Sequence, residues 1–184
     1  MKNIVLIILL TFFSCSLYQD NDEPDIFFQF SDFEILELGK SFSDMIISEV
    51  QSAIYLSDYN NNSLLKINTQ NSLLVEQHTI VGSHPIALDI SSDESLIAIA
   101  HEGESSILIL NSQDLAILNS FSVSLMNMND LAFINDTTLI ISSKTDPSCI
   151  TLNLISGEET TQSVLNGELA MDREGQILYV ATSS

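Results

Sequence analysis

Histidine is the side chain best suited to acid–base or metal chemistry near neutral pH. The chain has three of them, His78, His84 and His101. None stands with cysteines or carboxylates at the short spacing that metal ligands require. His84 precedes Pro85 in a predicted loop, where it is a possible ligand-facing residue or an ordinary loop histidine. His101 follows an apolar segment, and a structural role is the simpler interpretation of it.

Other motifs of catalysis or metal binding are absent from the sequence. It contains no Gly-x-Ser-x-Gly, no glycine-rich phosphate loop and no Ser/His/Asp arrangement. The acidic residues between Asp20 and Asp25 lack the glycine and the distal glutamate of an EF-hand loop. Asp58-Tyr59-Asn60-Asn61-Asn62 is typical of a hairpin turn rather than of a metal loop. We therefore predict no catalytic residue, no metal site and no cofactor.

Cys15 is the residue for which the sequence predicts a covalent modification. It follows Lys2 and an apolar run from Val5 to Phe13, which is the layout of a secretory signal. The run is shorter than the roughly 20 apolar residues that a permanent membrane helix needs. Phe12-Phe13-Ser14-Cys15 resembles a bacterial lipobox, in which a small residue precedes the lipidated cysteine. We expect residues 1–14 to be a signal peptide and Cys15 to be lipidated; the alternative is a signal peptide with an incidental cysteine.

The residues that follow Cys15 are polar and acidic. Positions 16–25 read Ser-Leu-Tyr-Gln-Asp-Asn-Asp-Glu-Pro-Asp and offer little apolar surface to bury. We predict that residues 15–25 form a lipidated tether and that residues 26–184 form the folded domain. Cys149 is the other cysteine, and it has no partner in the chain if Cys15 carries lipid. Its apolar neighbours favour a small buried side chain over a nucleophile.

The charge of the chain limits the partners that it can have. Its 184 residues include 25 Asp and Glu against 5 Lys and Arg, for a net charge of −20. A surface of this charge repels phosphate backbones, so nucleic acid is not an expected partner. Hydrophobic residues make up 45% of the chain and charged residues 16%, which is typical of a globular protein and argues against wholesale disorder.

A repeat organises most of the chain. Ile54-Tyr55-Leu56-Ser57 aligns with three later segments, Ile97-Ala98-Ile99-Ala100, Ile140-Ile141-Ser142-Ser143 and Leu178-Tyr179-Val180-Ala181. Successive segments begin 43, 43 and 38 residues apart. Short strand-like segments at this period indicate β-propeller blades, which commonly use about 40–45 residues. The shorter last step predicts that an outer strand or a loop is trimmed within residues 150–174.

The second unit of the repeat shows the four strands expected of a blade. Apolar segments at residues 86–90, 96–100, 107–110 and 115–123 alternate with turns rich in Ser, Asn, Asp and Gly. A meander of this kind has two apolar faces, so it must stack on copies of itself. Beyond the signal, no long window has the apolar spacing of a helix. The predicted fold class is therefore all-β.

The junction before the second unit has a distinctive order of residues. In Ile80-Val81-Gly82-Ser83-His84-Pro85, a Val-Gly pair and a nearby Pro precede an apolar strand and an Asp-containing turn. This order resembles the YVTN family of propeller repeats, the YncE-like group, and Leu178-Tyr179-Val180-Ala181-Thr182 is similar to its name-giving strand. The resemblance covers roughly residue 42 to the end and implies a β-propeller without specifying a ligand. The third unit lacks the Gly and Pro, and Trp is absent, so NHL and quinoprotein-like repeats stay open as alternatives.

Residues 177–184 would complete a single strand of a fourth unit. A closed propeller of about seven blades needs about 300 residues. We therefore expect a partial β-propeller of about three four-stranded blades, the N-terminal part of a longer protein.

The expected function is a binding or scaffold domain on a lipoprotein of the bacterial cell envelope. Its location would be the outer membrane, facing the periplasm or the cell surface. Its ligand would be a protein or a glycan, and the sequence does not specify which. The alternative is a periplasmic or surface propeller enzyme, either a quinoprotein-like oxidoreductase or a carbohydrate-active protein, whose active site lies partly in further blades.

Overall fold

The computed structural model describes residues 7–8, 34–35, 42–70, 75–162, 167–172 and 177–181. The chain divides into two compact units, Met1–Lys40 and Ser41–Ser184. In the first unit, strand β1 (Ile7–Ile8) pairs antiparallel with strand β2 (Glu34–Ile35). Cys15 and the predicted tether lie outside the described residues, and so does the predicted signal peptide apart from β1.

The described residues of the second unit form three four-stranded antiparallel sheets and one two-stranded sheet, each with its strands in chain order. Blade 1 consists of β3 (Asp44–Ser48), β4 (Ala53–Asp58), β5 (Ser63–Asn68) and β6 (Val75–Ile80). Blade 2 consists of β7 (Pro85–Ile90), β8 (Leu96–His101), β9 (Ser106–Asn111) and β10 (Ile117–Ser122). Blade 3 consists of β11 (Met128–Asn135), β12 (Thr138–Ser143), β13 (Cys149–Asn153) and β14 (Glu159–Gln162). The fourth unit consists of β15 (Glu168–Met171) and β16 (Leu178–Ala181).

These sheets confirm the predicted all-β fold with about three four-stranded blades, and each segment predicted for blade 2 contains or overlaps one of its strands. The prediction of a single strand in the fourth unit is wrong, because β15 pairs with β16, with Leu169 opposite Val180. The repeat alignment missed β15 because it matched only the second strand of each unit, and no Gly-Pro junction marks the start of β15. β14 has four described residues where β6 and β10 have six, and it ends where the described range ends at residue 162, so the trimming of an outer strand or loop stays a prediction.

Strand β8 shows why the middle strands of a blade are apolar throughout. Ile97 and Ile99 belong to an apolar cluster shared with blade 1, whereas Ala98 and Ala100 belong to a cluster shared with blade 3. All four side chains are fully buried. Successive residues of a strand point to opposite faces, so a strand between two blades has no solvent face. In the outer strand β10, by contrast, most residues are exposed.

A third apolar cluster joins blade 3 to the fourth unit. It contains Cys149, Ala132, Ile140 and Leu169, with Val180 packed against it. The Cys149 side chain is fully buried, which confirms the prediction of a small buried residue. Burial also raises the pKa of its thiol, which disfavours the reactive thiolate.

The predicted turns are closed by their own polar side chains. Asp58 ends β4, and its Oδ1 accepts a hydrogen bond from the Asn61 backbone N–H at 3.1 Å. Asn111 ends β9, and its Oδ1 accepts from the Gln113 N–H at 2.8 Å. Both turns lead directly into the next strand, which confirms the hairpin interpretation of residues 58–62. Across the described ranges, no helix has the length and apolar character needed to cross a membrane.

Candidate functional site

The first strand of each unit lies beside the first strand of the next, in the order β3, β7, β11 and β15. In a propeller these inner strands line the central channel. Four of their side chains are acidic, namely Asp44, Asp89, Asp130 and Glu168. Asp44, Asp130 and Glu168 occupy equivalent positions of the repeat, and Ala87 takes that position in blade 2. Asp89 lies two residues after Ala87, so the strand alternation places both on one side of β7.

Each of the three aspartates reaches the backbone of the next unit. The contacts run from Leu88 N–H to Asp44 Oδ2 at 2.7 Å, from Phe133 N–H to Asp89 Oδ2 at 2.6 Å, and from Leu169 N–H to Asp130 Oδ2 at 2.6 Å. Neighbouring inner strands belong to different sheets and do not pair as a ladder. Within the described sheets, these backbone N–H groups have no partner strand on that side. The carboxyl groups of the preceding unit therefore serve as their hydrogen-bond acceptors.

The electrostatics of the three aspartates are unusual for carboxyl groups. Burial raises the pKa of Asp89 from 3.8 to about 6 and that of Asp130 from 3.8 to about 7. Burial also raises the pKa of Asp44. The backbone hydrogen bonds act in the opposite direction, and the nearby negative charges of Asp44 and Glu168 add to the rise at Asp130. Near neutral pH the inner strands therefore hold a mixture of charged and protonated carboxyls.

The four acidic side chains line a cavity of about 540 Å³. Its wall includes three further titratable residues, Tyr59, Glu102 and Lys144. They follow the second strands of blades 1, 2 and 3, β4, β8 and β12, so equivalent loops of successive blades converge here. Lys144 is the one basic side chain among the described residues of this wall. The cavity is thus strongly acidic and is suited to a cationic group.

Glu102 connects the loop residues of three blades. Its Oε1 forms an ion pair with Lys144 Nζ at 3.1 Å, and its Oε2 accepts a hydrogen bond from the Tyr59 hydroxyl. These contacts, that of Tyr59 first, lower the pKa of Glu102, so this carboxylate stays ionised. Since Lys144 and Glu102 are 46% and 40% exposed, their ion pair contributes little to stability. Because Lys144 is paired in this way, no other basic side chain in the described part of the wall is left for the deeper carboxyls.

The predicted ligand-facing residue, His84, lies beside this rim. Its ring stacks on Tyr59 with centroids 4.6 Å apart and an angle of 29° between the planes. Its backbone N–H donates to Asn62 Oδ1 at 2.9 Å, and its φ of 49° is held by this turn. The histidine side chain is exposed but does not line the cavity wall. His84 therefore contacts the candidate site by stacking on Tyr59, which lines the cavity.

The other two histidines lie elsewhere. His101 is buried at the end of β8, and its Nε2 lies 2.8 Å from the Val81 carbonyl oxygen. Because a carbonyl only accepts, Nε2 carries the proton, and the structural interpretation of His101 is confirmed. His78 lies on β6, and its side chain is outside the part of the structure described. No group of three or more His, Cys, Asp or Glu within the described ranges is arranged to hold a metal ion.

The sequence interpretation missed the inner-strand carboxyls. Asp130 lies 86 residues after Asp44, which is twice the repeat period, and Glu168 follows 38 residues later, the same step as the aligned strands. These spacings match the repeat. An alignment extended to the first strand of each unit would therefore have found the three carboxyls. Asp89 has no such counterpart, so its place in the cavity could be found only from the structure.

Comparison with known protein families finds no match, and neither does comparison with curated proteins. Among solved structures, hydrazine synthase from Kuenenia stuttgartiensis is similar with a TM-score of 0.64 and 12% identity, over 74% of this chain and 40% of that one. The WD40 repeats of RRP9 and the protein U3-55K each have a TM-score of 0.60 and 22% identity, over 73% of this chain and 43% of theirs.

This chain thus spans less than half the length of these proteins. Identities this low show a shared fold and carry no activity or partner from one protein to another. The structural neighbours are proteins of the WD40 and β-propeller type. Together with three stacked four-stranded meanders, they identify the second unit of this chain as part of a β-propeller.

Proposed function

We propose that this chain is a binding or scaffold domain of a lipid-anchored protein of the bacterial cell envelope, with repeats of the YVTN, YncE-like type. The single observation that carries the binding role is the acidic cavity, where side chains from three blades and the fourth unit converge. Propellers place function in the loops and strand ends at the channel, on a rigid scaffold. The lipid anchor is supported by the sequence around Cys15 alone, as is the envelope location.

The chemistry of the cavity favours a protein ligand that presents Lys or Arg side chains. The described part of the wall has five acidic residues, Asp44, Asp89, Glu102, Asp130 and Glu168, against one base, Lys144. The net charge of −20 adds a long-range field that attracts cationic partners. A glycan is less well matched, because sugars stack on open aromatic faces and His84 already covers one face of Tyr59.

Peptide binding to the full chain tests this proposal. The probes are a fluorescent Lys-rich peptide of about 12 residues, a Glu-rich peptide of the same length and a set of neutral oligosaccharides. We expect the Lys-rich peptide alone to bind, with an affinity that weakens as salt screens the cavity. The double variant Glu102→Gln and Glu168→Gln removes two charges from the wall. It should weaken binding about tenfold, or by about 1.4 kcal/mol.

The matched control carries the same change of net charge away from the cavity. Glu158 is exposed in the turn between β13 and β14, and Asp114 lies in the turn between β9 and β10. The double variant Glu158→Gln and Asp114→Asn should retain an affinity within about twofold of the parent. Equal losses in the two double variants would mean that the peptide senses only the overall charge. Binding of an oligosaccharide without the Lys-rich peptide would favour the glycan instead.

The anchor requires a separate experiment. Cys15→Ser removes the only thiol that the lipobox interpretation uses. The parent protein should sediment with membranes and show the mass of an attached lipid, whereas the variant should be released and lack that mass. A variant that remains membrane-bound, beside a parent without added mass, would contradict the lipoprotein proposal and leave the cavity proposal untouched.

A further inference from the structure

The aspartates of the inner strands do more than line a cavity, because each of them joins two units of the stack. Asp44 joins blade 1 to blade 2, Asp89 joins blade 2 to blade 3, and Asp130 joins blade 3 to the fourth unit. We propose that these three side chains form a proton-sensitive latch, which holds the blades together more firmly when the cavity is acidified. The latch requires no ligand, so it is independent of the proposed binding role.

The geometry of the contacts allows protonation without loss of the latch. Each aspartate uses Oδ2 to accept the hydrogen bond from the next unit. A protonated carboxyl still accepts through its remaining lone pairs, so the backbone N–H keeps a partner. Protonation removes the buried negative charge. In a poorly solvated site, that charge costs free energy unless a cation neutralises it.

Among the described residues, little positive charge lies near these carboxyls. The titratable groups that face them across the cavity are Glu168 on β15, Tyr59 after β4, Glu102 after β8 and Lys144 after β12. Lys144 pairs with Glu102, so its charge is already matched at the rim. His101, at the end of β8, points instead to the carbonyl of Val81. The aspartates therefore face one another and Glu168, and their like charges repel.

The direction of the pH effect follows from the difference between the folded and the unfolded chain. Burial raises the pKa of Asp89 to about 6 and that of Asp130 to about 7, from 3.8. Between about pH 4 and pH 7 the folded protein therefore holds protons that the unfolded chain has released. The contribution of these two carboxyls to stability is greatest at the acidic end of this window and falls as the pH rises through their folded pKa values.

Thermal unfolding of the full chain measures this effect. We expect the Tm of the parent to be about 5 °C higher at about pH 5.5 than at about pH 8. The double variant Asp89→Asn and Asp130→Asn keeps the acceptor oxygens but cannot ionise. Its Tm at about pH 8 should rise, and its Tm difference between the two pH values should fall to less than half that of the parent.

The control variant is Asp146→Asn, at an exposed carboxyl whose hydrogen bonds with Ser148 lower its pKa. It should leave the pH dependence of the Tm unchanged, because Asp146 is ionised at both pH values. All variants retain His84 and His101. The difference between the parent and the Asn variants therefore isolates the contribution of the aspartates.

Two results would overturn the latch. One is a parent Tm that is equal at the two pH values or higher at about pH 8, and the other is an undiminished pH difference in the double Asn variant. If the double variant does not fold, carboxyl carbon NMR of the parent replaces it. Asp89 and Asp130 should then titrate near neutral pH, and midpoints near the ordinary value of about 4 would refute the proposal.

Discussion

At the scale of single residues, contacts with His101 explain why the blade junction has the Val-Gly pair Val81-Gly82. The Val81 carbonyl accepts from His101 Nε2, which brings the junction against the end of β8. Gly82 has a φ of +112°, a conformation that L side chains rarely adopt, and a Cβ there would lie 3.1 Å from His101 Nε2. Backbone conformation and space both require glycine at position 82.

Gly82→Ala is therefore expected to lower the free energy of unfolding by about 2 to 3 kcal/mol, from backbone strain together with the displaced His101 ring. Urea denaturation of the full chain measures the change. Gly103→Ala is the control, since Gly103 also has a positive φ, of +76°, but has no atom within 4 Å of the added methyl group. It should cost about 1 kcal/mol. Equal losses at the two positions would show that the contact with His101 does not matter.

At the scale of elements, the two faces of β8 differ in the room that they offer. Ile97 and Ile99 face blade 1, whereas Ala98 and Ala100 face blade 3. The small side chains on the second face leave space for larger ones from blade 3, among them Leu131 and Phe133. Blade packing thus depends on an alternation of large and small residues within one strand.

Enlarging Ala98 should be more harmful than shortening Ile97. Ala98→Leu adds three carbon atoms to a filled interface and is expected to cost about 3 kcal/mol. Ile97→Val removes one methyl group and should cost about 1 kcal/mol. Leu118→Ala, at a side chain that is 54% exposed on β10, should stay within about 0.5 kcal/mol of the parent. The midpoints of urea denaturation rank the three variants, and a neutral Ala98→Leu would contradict the proposed packing.

At the scale of the whole molecule, the net charge of −20 opposes compaction. The Lys144–Glu102 pair is a salt bridge on the exposed rim and gives little relief. Most of the acidic side chains therefore repel one another through solvent, where dissolved salt screens them. At about 0.01 M salt the Debye length is about 30 Å, and at about 0.1 M it is about 10 Å.

Salt should therefore stabilise the protein. Raising NaCl from about 10 mM to about 300 mM near pH 8 is expected to increase the Tm by several degrees, with most of the gain below about 100 mM. Choline chloride at the same ionic strength should act similarly, which separates screening from the binding of sodium. A Tm that falls or stays constant would show that repulsion between surface charges does not limit stability.

The sequence alone was sufficient to predict the strands of blade 2, the repeat and the all-β class. Apolar runs such as residues 96–100 and polar turns such as residues 58–62 act locally, so their pattern carries over directly into β8 and the β4–β5 hairpin. Strand β15 was not predicted, because the repeat was aligned on the second strand of each unit and no marked junction precedes β15.

Only the tertiary structure brought the candidate site together. Asp44, Asp89 and Asp130 are far apart in the chain, and they share a cavity because consecutive inner strands pack side by side. Their retention of protons depends on burial and on one another, neither of which is a property of the local sequence. The residues of the repeat thus determine the blades by themselves, whereas the stacking of blades determines which carboxyls meet and how they are charged.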